Sequence, residues 1–367
     1  MTGAPALQIP MGARALGMGA AFTAVASDAS ALFYNPAGLS RINAHEMSAA
    51  FFSGQADNDQ QYLAYGGPLP WAGISGNGYA SAGGSFLNSR NGVIEINEIR
   101  ADGSLARSDK ISAGYDVIAT GGYSERVGSH PLELPIKTVE LNHFVGVSGK
   151  VIYSTLVEKY KATALAGDAG YMLSVPDLGV HVGMAAMNLG SRLAYQNEGD
   201  PLPMTFRLGG AIDRRPAPRH SFTIAADAEF LYYEREWHAN LGVEYVWNKD
   251  YALRVGHQFK RDTMGLTAGF GIRIKRRILM DYAWALGSSL SDLHRLTATY
   301  RFGGVTEATR GSSRRPYIDT APEREALEER QPRQQRDLEE PIIQEPRRRP
   351  RPTPRDERPA GVQGWIY

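Results

Sequence analysis

The stretch Trp237-His238-Ala239-Asn240-Leu241-Gly242-Val243-Glu244-Tyr245-Val246-Trp247 changes character at every step. Trp237, Ala239, Leu241, Val243, Tyr245 and Trp247 fall on one face, and His238, Asn240, Gly242, Glu244 and Val246 on the other. A period of two is that of a β-strand with one apolar face. The apolar face carries an aromatic residue at each end, and a tilted strand of about 9–11 residues is the length that crosses a hydrocarbon layer.

Working outward, the same alternation recurs. Met204, Phe206, Leu208, Gly210 and Ile212 oppose Thr205, Arg207, Gly209, Ala211 and Asp213. Ile278, Met280, Tyr282, Trp284 and Leu286 oppose Leu279, Asp281, Ala283 and Ala285, and the stretch from Met264 to Ile274 opposes Gly265, Thr267, Gly269, Gly271 and Arg273. Such segments place strands near 46–54, 60–68, 70–80, 112–123, 141–155, 160–174, 178–189, 203–213, 220–231, 236–247, 250–260, 264–275, 277–287 and 293–302. That is an all-β chain of about fourteen antiparallel strands. The even number fits a transmembrane β-barrel with both ends on one side.

Soluble sandwiches and propellers also alternate, but their strands usually run nearer five or six residues. Aromatics at the ends of apolar faces (Trp237, Trp247, Tyr251, Trp284, Tyr300), with acids and bases on the other face, favour the membrane. The turns at Val175-Pro176-Asp177, Asn248-Lys249-Asp250 and Lys275-Arg276-Arg277 are tight, whereas linkers near 81–111 and 190–202 are long. Tight turns are expected in the periplasm and long loops outside. The stretch 124–140 is long on the short side and reads as a small periplasmic subelement or a displaced strand boundary.

Composition narrows the function classes. The chain has 367 residues, 40 glycines, no cysteine and a net charge of +1, and no apolar run approaches a membrane helix. Thiolate metal sites and cysteine nucleophiles are excluded, and no whole-chain charge argues for nucleic acid. Met1-Thr2-Gly3-Ala4-Pro5 does not read as a signal peptide, so an envelope location is expected only of a mature form or a misplaced start. No Gly-x-Ser-x-Gly elbow, His-Glu-x-x-His or phosphate loop is present. No catalysis, cofactor or metal is therefore expected.

The chain divides into three parts: 1–44, small and glycine-rich; 45–303, the barrel; and 304–367, a tail. The first part holds Gly12-Ala13-Arg14-Ala15-Leu16-Gly17-Met18-Gly19, then Asp28-Ala29-Ser30-Ala31 and Tyr34-Asn35-Pro36-Ala37-Gly38-Leu39. It suits backbone packed on backbone in a confined space, and equally a tight loop with a short helix. Inward-facing Asp168, Arg207, Asp213, Asp227, Glu229, Glu244, Arg254, Arg273 and Asp281 read as lumen charges that pair with one another and with Arg14 or Asp28. From Val305 onward, 13 Arg, 12 acids and 9 Pro leave too little apolar material to fold, so the tail is expected to be disordered and periplasmic. Its Arg347, Arg348, Arg349 and Arg351 suit peptidoglycan, anionic lipid or an acidic protein partner; the plainer reading is a solvated linker.

The N-terminal blocks resemble the opening of the PorV/PorQ family of outer-membrane barrels, relatives of the FadL-type transporters. Further blocks follow in order: Asn188-Leu189-Gly190, Asn197-Glu198-Gly199-Asp200-Pro201-Leu202-Pro203, Gly265-Leu266-Thr267-Ala268-Gly269-Phe270-Gly271 and Asp281-Tyr282-Ala283. The resemblance implies a fourteen-stranded barrel in the outer membrane with Gly17, Gly19, Asp28, Asn35, Pro36, Ala37 and Gly38 in a hatch inside it. PorV-like members receive cargo in type IX secretion, which implies a binding and docking role with secretion or surface-assembly proteins and outer-membrane lipid as partners. FadL-like members pass hydrophobic small molecules through the hatch, which is the alternative.

Overall fold

The computed structural model describes residues 2–53, 58–76, 79–100, 105–135, 137–157, 159–195, 198–260, 265–287 and 292–304. Fourteen antiparallel strands close into one barrel, each hydrogen-bonded to its neighbours in sequence, with the first pairing the last. They are β1 Ala44–Ser53, β2 Asn58–Pro68, β3 Ala80–Asn91, β4 Gly114–Glu133, β5 Thr138–Leu156, β6 Tyr160–Val175, β7 Val180–Gly190, β8 Thr205–Ala217, β9 His220–Leu231, β10 Glu236–Trp247, β11 Tyr251–Phe259, β12 Leu266–Ile274, β13 Ile278–Ala285 and β14 Leu293–Gly304.

Alternation becomes two faces. On β10, Leu241 and Val243 are exposed outward while Asn240 and Glu244 are buried inward; β14 exposes Leu296 and Tyr300 and buries Arg295 and Thr297. Outward Leu, Val, Ile and aromatic side chains form an apolar belt that gives way to polar residues toward the loop end, the reverse of a soluble domain. Its rims carry cross-strand pairs in which a histidine Nδ1 meets a tyrosine hydroxyl: His45 with Tyr65 at 2.8 Å, His143 with Tyr171 at 2.7 Å and His220 with Tyr245 at 2.8 Å. Such pairs give a ring with an apolar body a polar tip for the water side.

One barrel end carries tight turns. Asn248 and Lys249 (φ 52° and 64°), and Lys275 and Arg276 (φ 49° and 59°), take the paired left-handed conformations that match strand twist in short hairpins. Ala44 pairs with Gly304 at this turn end, so the chain enters and leaves the barrel there. The opposite, loop end carries the longer connections.

Two expectations are corrected. The third strand is not 70–80 but Ala80–Asn91, and 69–79 is a turn-end connection, which Pro70 in mid-segment suits. The expected long loop 81–111 is therefore mostly ordered: β3 fills its first part, and a separate ribbon of Val93–Ile99 with Leu105–Ser112 fills the rest. The anomaly at 124–140 is a projection of the wall itself. β4 and β5 continue past their neighbours as a two-stranded ribbon, from His130 opposite Leu141 to Glu133 opposite Thr138, with a register break between Arg126 and Gly128. The tail from 305, with Arg347, Arg348, Arg349 and Arg351, lies outside the described residues.

Candidate functional site: a latched hatch in the barrel

Residues before β1 sit inside the barrel. Met11, Ala13, Leu16, Met18, Phe22, Leu32, Tyr34 and Leu39 are all at most 1 % exposed. The segment has little regular structure, only the short helices Ala13–Gly17 and Ala31–Tyr34 and the 3-10 turns Pro5–Gln8 and Pro36–Arg41. Its backbone groups therefore need partners elsewhere, and they find them in the wall.

Three wall carboxylates act as latches. Asp227 on β9 accepts the backbone N–H groups of Phe22 and Thr23, both at 2.8 Å. Glu46 on β1 accepts the N–H of Ala29 at 2.6 Å and Arg301 Nε at 3.0 Å. Glu244 on β10 receives Arg14 through Nε and Nη2 at 3.0 and 2.9 Å, and Arg254 Nε at 2.6 Å. Arg254 in turn reaches Asp281 at 2.6 Å, while Asp28 lies 3.5 Å from Arg14. Hydroxyls add to this: Thr297 accepts from Ala13 N at 2.9 Å and Thr267 from Gly19 N at 3.0 Å. Charge-assisted bonds to buried groups are the strong kind, about 1.5–3 kcal/mol each.

Between the latches the wall is lined with glycine. A Cβ on Gly256 would stand 2.1 Å from Gly19 N, and one on Gly242 would stand 2.3 Å from Met18 O. On the opposite side, a Cβ on Gly146 would lie 2.3 Å from Pro36 C, and one on Gly170 2.1 Å from Asn35 Oδ1. Gly183 and Gly209 face Thr23 in the same way, and Gly17 meets Gly269. Hatch and wall thus touch backbone to backbone at Gly146, Gly183, Gly242, Gly256 and Gly269, which no larger side chain permits.

Asn35 is the pivot of the Asn-Pro-Ala segment. Its Oδ1 accepts from Ala37 N at 3.1 Å, capping the Pro36–Arg41 turn, while Nδ2 donates to Thr23 O at 3.0 Å and Tyr171 O at 3.2 Å. Gly38 packs on Ala26, whose O would lie 2.5 Å from an added Cβ.

The remaining sequence candidates do different work. Arg207 lies 3.4 Å from Glu229, with its guanidinium 5.2 Å from the Tyr34 ring, so it also faces the hatch. Asp168 pairs with Lys150 at 2.9 Å and accepts Asn188 N at 2.7 Å, bracing the wall where β7 ends. Asp213 receives His181 Nε2 at 3.0 Å, and Arg273 is half-buried near the turn end of β12. Sequence reasoning did not single out Glu46, Thr267, Thr297, Lys150 or Arg295. Arg295 is fully buried over the Phe52 ring, 4.6 Å away, and reaches Met11 Sδ and Gln60 Oε1, each at 3.2 Å. Their only signal was position, since each occupies an inward step of the alternation.

No family model matches the chain, and no curated protein matches it in sequence. Solved structures do share its fold. The Ralstonia pickettii toluene transporter TbuX superposes with a TM-score of 0.53 at 12% identity, over 80% of this chain and 98% of that one. The P. putida toluene transporter TodX gives 0.50 at 11% identity, over 81% and 99%. At this identity the likeness establishes the fold and leaves the PorV/PorQ resemblance resting on the sequence blocks alone.

Proposed function

We propose that this chain is an outer-membrane barrel that passes small hydrophobic molecules past its hatch. The observation that carries the reading is the filled lumen: latches and glycine contacts hold the hatch against the wall, so the barrel offers a guarded path for small solutes and not a wide hole. The apolar outer face and the closed sheet support a membrane location, because a closed barrel leaves no unpaired strand edge to the lipid. That the TbuX and TodX structures are toluene transporters supports the substrate class.

The test is uptake of radiolabelled toluene at low concentration by cells carrying the barrel in the outer membrane, against cells with an empty vector. Faster uptake is expected; equal uptake with the barrel demonstrably present in that membrane refutes the reading.

A second reading, docking in protein secretion or surface assembly, is favoured by the loop-end ribbon Val93–Ile99, where Val93, Ile94 and Ile96 stand exposed. The arginine cluster Arg347, Arg348, Arg349 and Arg351 of the tail would then meet an acidic partner on the periplasmic side. Crosslinking from Ile96 in the native host distinguishes the two: capture of a secretion component supports docking, and an uncrosslinked ribbon leaves transport.

A further inference from the structure

The outer wall is not uniformly convex. Where β14, β1, β2 and β3 meet, a groove of about 710 Å³ opens toward the surroundings. Its floor is the directly paired Ala49 and Ala298, which give the wall almost no side-chain cover, and its sides are Phe51, Leu63, Phe86 and Leu296. Gln61 and Asn88, opposite each other on β2 and β3, also line it.

The outward positions along this groove grade in polarity toward the loop end. Outward positions on β3 read Phe86, Asn88, Arg90 toward the loop end, and those on β2 read Leu63, Gln61, Asp59. Successive outward residues stand about 7 Å apart along a strand. An apolar rung is therefore followed by an amide rung, and that by a charged rung where Arg90 and Asp59 lie 3.9 Å apart. On the far wall the outward positions stay apolar through Leu241, Val243, Leu253 and Val255 and turn polar at His257, nearer the loop end. Amides facing hydrocarbon cost free energy unless something bonds them. Asn88 Nδ2 donates to Gln61 Oε1 at 3.4 Å, which leaves the Gln61 amide hydrogens available to an outside acceptor.

We propose that this groove is a specific seat for an acylated, phosphate-bearing lipid of the leaflet at the loop end. An acyl chain lies along the Ala49–Ala298 floor between Phe51 and Phe86, an ester carbonyl accepts from Gln61, and the headgroup phosphate meets Arg90. The chain-to-ester-to-phosphate sequence of the lipid matches the apolar, amide and charged rungs in order. Asp59, beside Arg90, favours a headgroup that also carries an amine over a bare phosphate. The seat lies across the closing pair β1–β14, so a bound lipid covers the seam of the barrel.

This inference rests on the membrane reading, and the experiment separates the two. The full chain is purified in non-ionic detergent and titrated by native mass spectrometry with phosphatidylethanolamine, or with a diacylglycerol of the same acyl chains. One phospholipid retained well above the diacylglycerol is expected. Ala298→Phe, which fills the floor, should weaken retention at least tenfold, and Arg90→Gln about fivefold for phospholipid only. Ala226→Phe, outward on β9, should change nothing. Equal retention of the two lipids, or unchanged retention in Ala298→Phe, overturns the lipid seat while leaving the barrel a membrane protein. A chain that purifies without detergent overturns the membrane reading before any lipid is added.

Discussion

Asp227 offers the sharpest test of how the hatch is held. Its carboxylate is 4 % exposed, and one oxygen accepts both Phe22 N–H and Thr23 N–H at 2.8 Å. Asp227→Ala removes that acceptor and leaves two buried donors with nothing to bond. Each orphaned group costs about 1–3 kcal/mol, so the Phe22–Thr23 turn loses roughly 2–6 kcal/mol, the lower part applying if water enters. Because the chain has no cysteine, a single Val25→Cys substitution, at a site 6 % exposed, gives a clean reporter. When opening and closing are fast, maleimide labelling follows the open population. A loss of about 3 kcal/mol then raises the labelling rate on the order of a hundredfold, since about 1.4 kcal/mol is tenfold. Asp227→Asn keeps an acceptor oxygen and loses only the charge, so its rate should rise tenfold or less. Labelling in Asp227→Ala that matches the parent, in a barrel that still shows its folded heat-modifiable band, refutes the latch.

Other perturbations follow from the same geometry. Glu244→Gln leaves Arg14 and Arg254 without their shared acid, and thermal unfolding in detergent should show a loss of about 3–5 kcal/mol; adding Arg14→Met should restore part of it, and full additivity would refute the coupling. Gly170→Val drives a side chain to within 2.1 Å of Asn35 Oδ1, whereas outward Gly149 has nothing within 4 Å. The first should destabilise by at least about 1–3 kcal/mol and raise conductance in planar bilayers, while Gly149→Val is neutral. Lys150→Met leaves Asp168 without its cation and Asn188 Oδ1 without its donor, and should loosen the chain after β7, read as faster proteolysis between Gly190 and Thr205 without a change in hatch labelling.

Most of the barrel was legible because a lipid-facing strand writes its environment into every second residue. In β8, β10, β12 and β13 the expected inward and outward sets are those found, down to Gly269 and Asp281, with Met264 outside the described residues. The failure at β3 has a physical origin. Ala80-Ser81-Ala82-Gly83-Gly84-Ser85 presents small residues to both sides, so no period shows, whereas Leu69-Pro70-Trp71-Ala72-Gly73-Ile74 is apolar for a different reason. Trp71 and Ile74 are exposed in the turn-end connection, with Trp71 6.2 Å from Tyr123. The ribbon continuing β4 and β5 was hidden because a strand that leaves the wall loses the one-sided environment that makes it readable. The glycine lining was visible only as abundance: Gly146, Gly170, Gly242 and Gly256 sit on inward steps, but nothing in one sequence says that another backbone lies against them.

The balance of forces on the hatch bears on which path a solute takes. Glycine faces allow close approach but few atoms interdigitate, so the contacts at Gly242 and Gly256 resist sliding less than a knobbed interface does. The bonds from Phe22 N, Thr23 N, Ala29 N and Arg14 to Asp227, Glu46 and Glu244 carry the retention. At about 1.5–3 kcal/mol each, four such bonds total roughly 6–12 kcal/mol. Even the lower figure holds the fully displaced hatch to about four decades below the seated one. A route that requires ejection would therefore be closed at rest to solutes of every size. The Asn35–Arg41 turn meets the wall through Asn35, through Ser124, whose hydroxyl lies 2.9 Å from both Ala37 O and Ser40 Oγ, through Arg41 at 3.3 Å from Met172 Sδ, and at the glycines Gly146 and Gly170. Movement confined to that turn would break the contacts of Asn35, Ser124 and Arg41 while Asp227, Glu46 and Glu244 stay engaged.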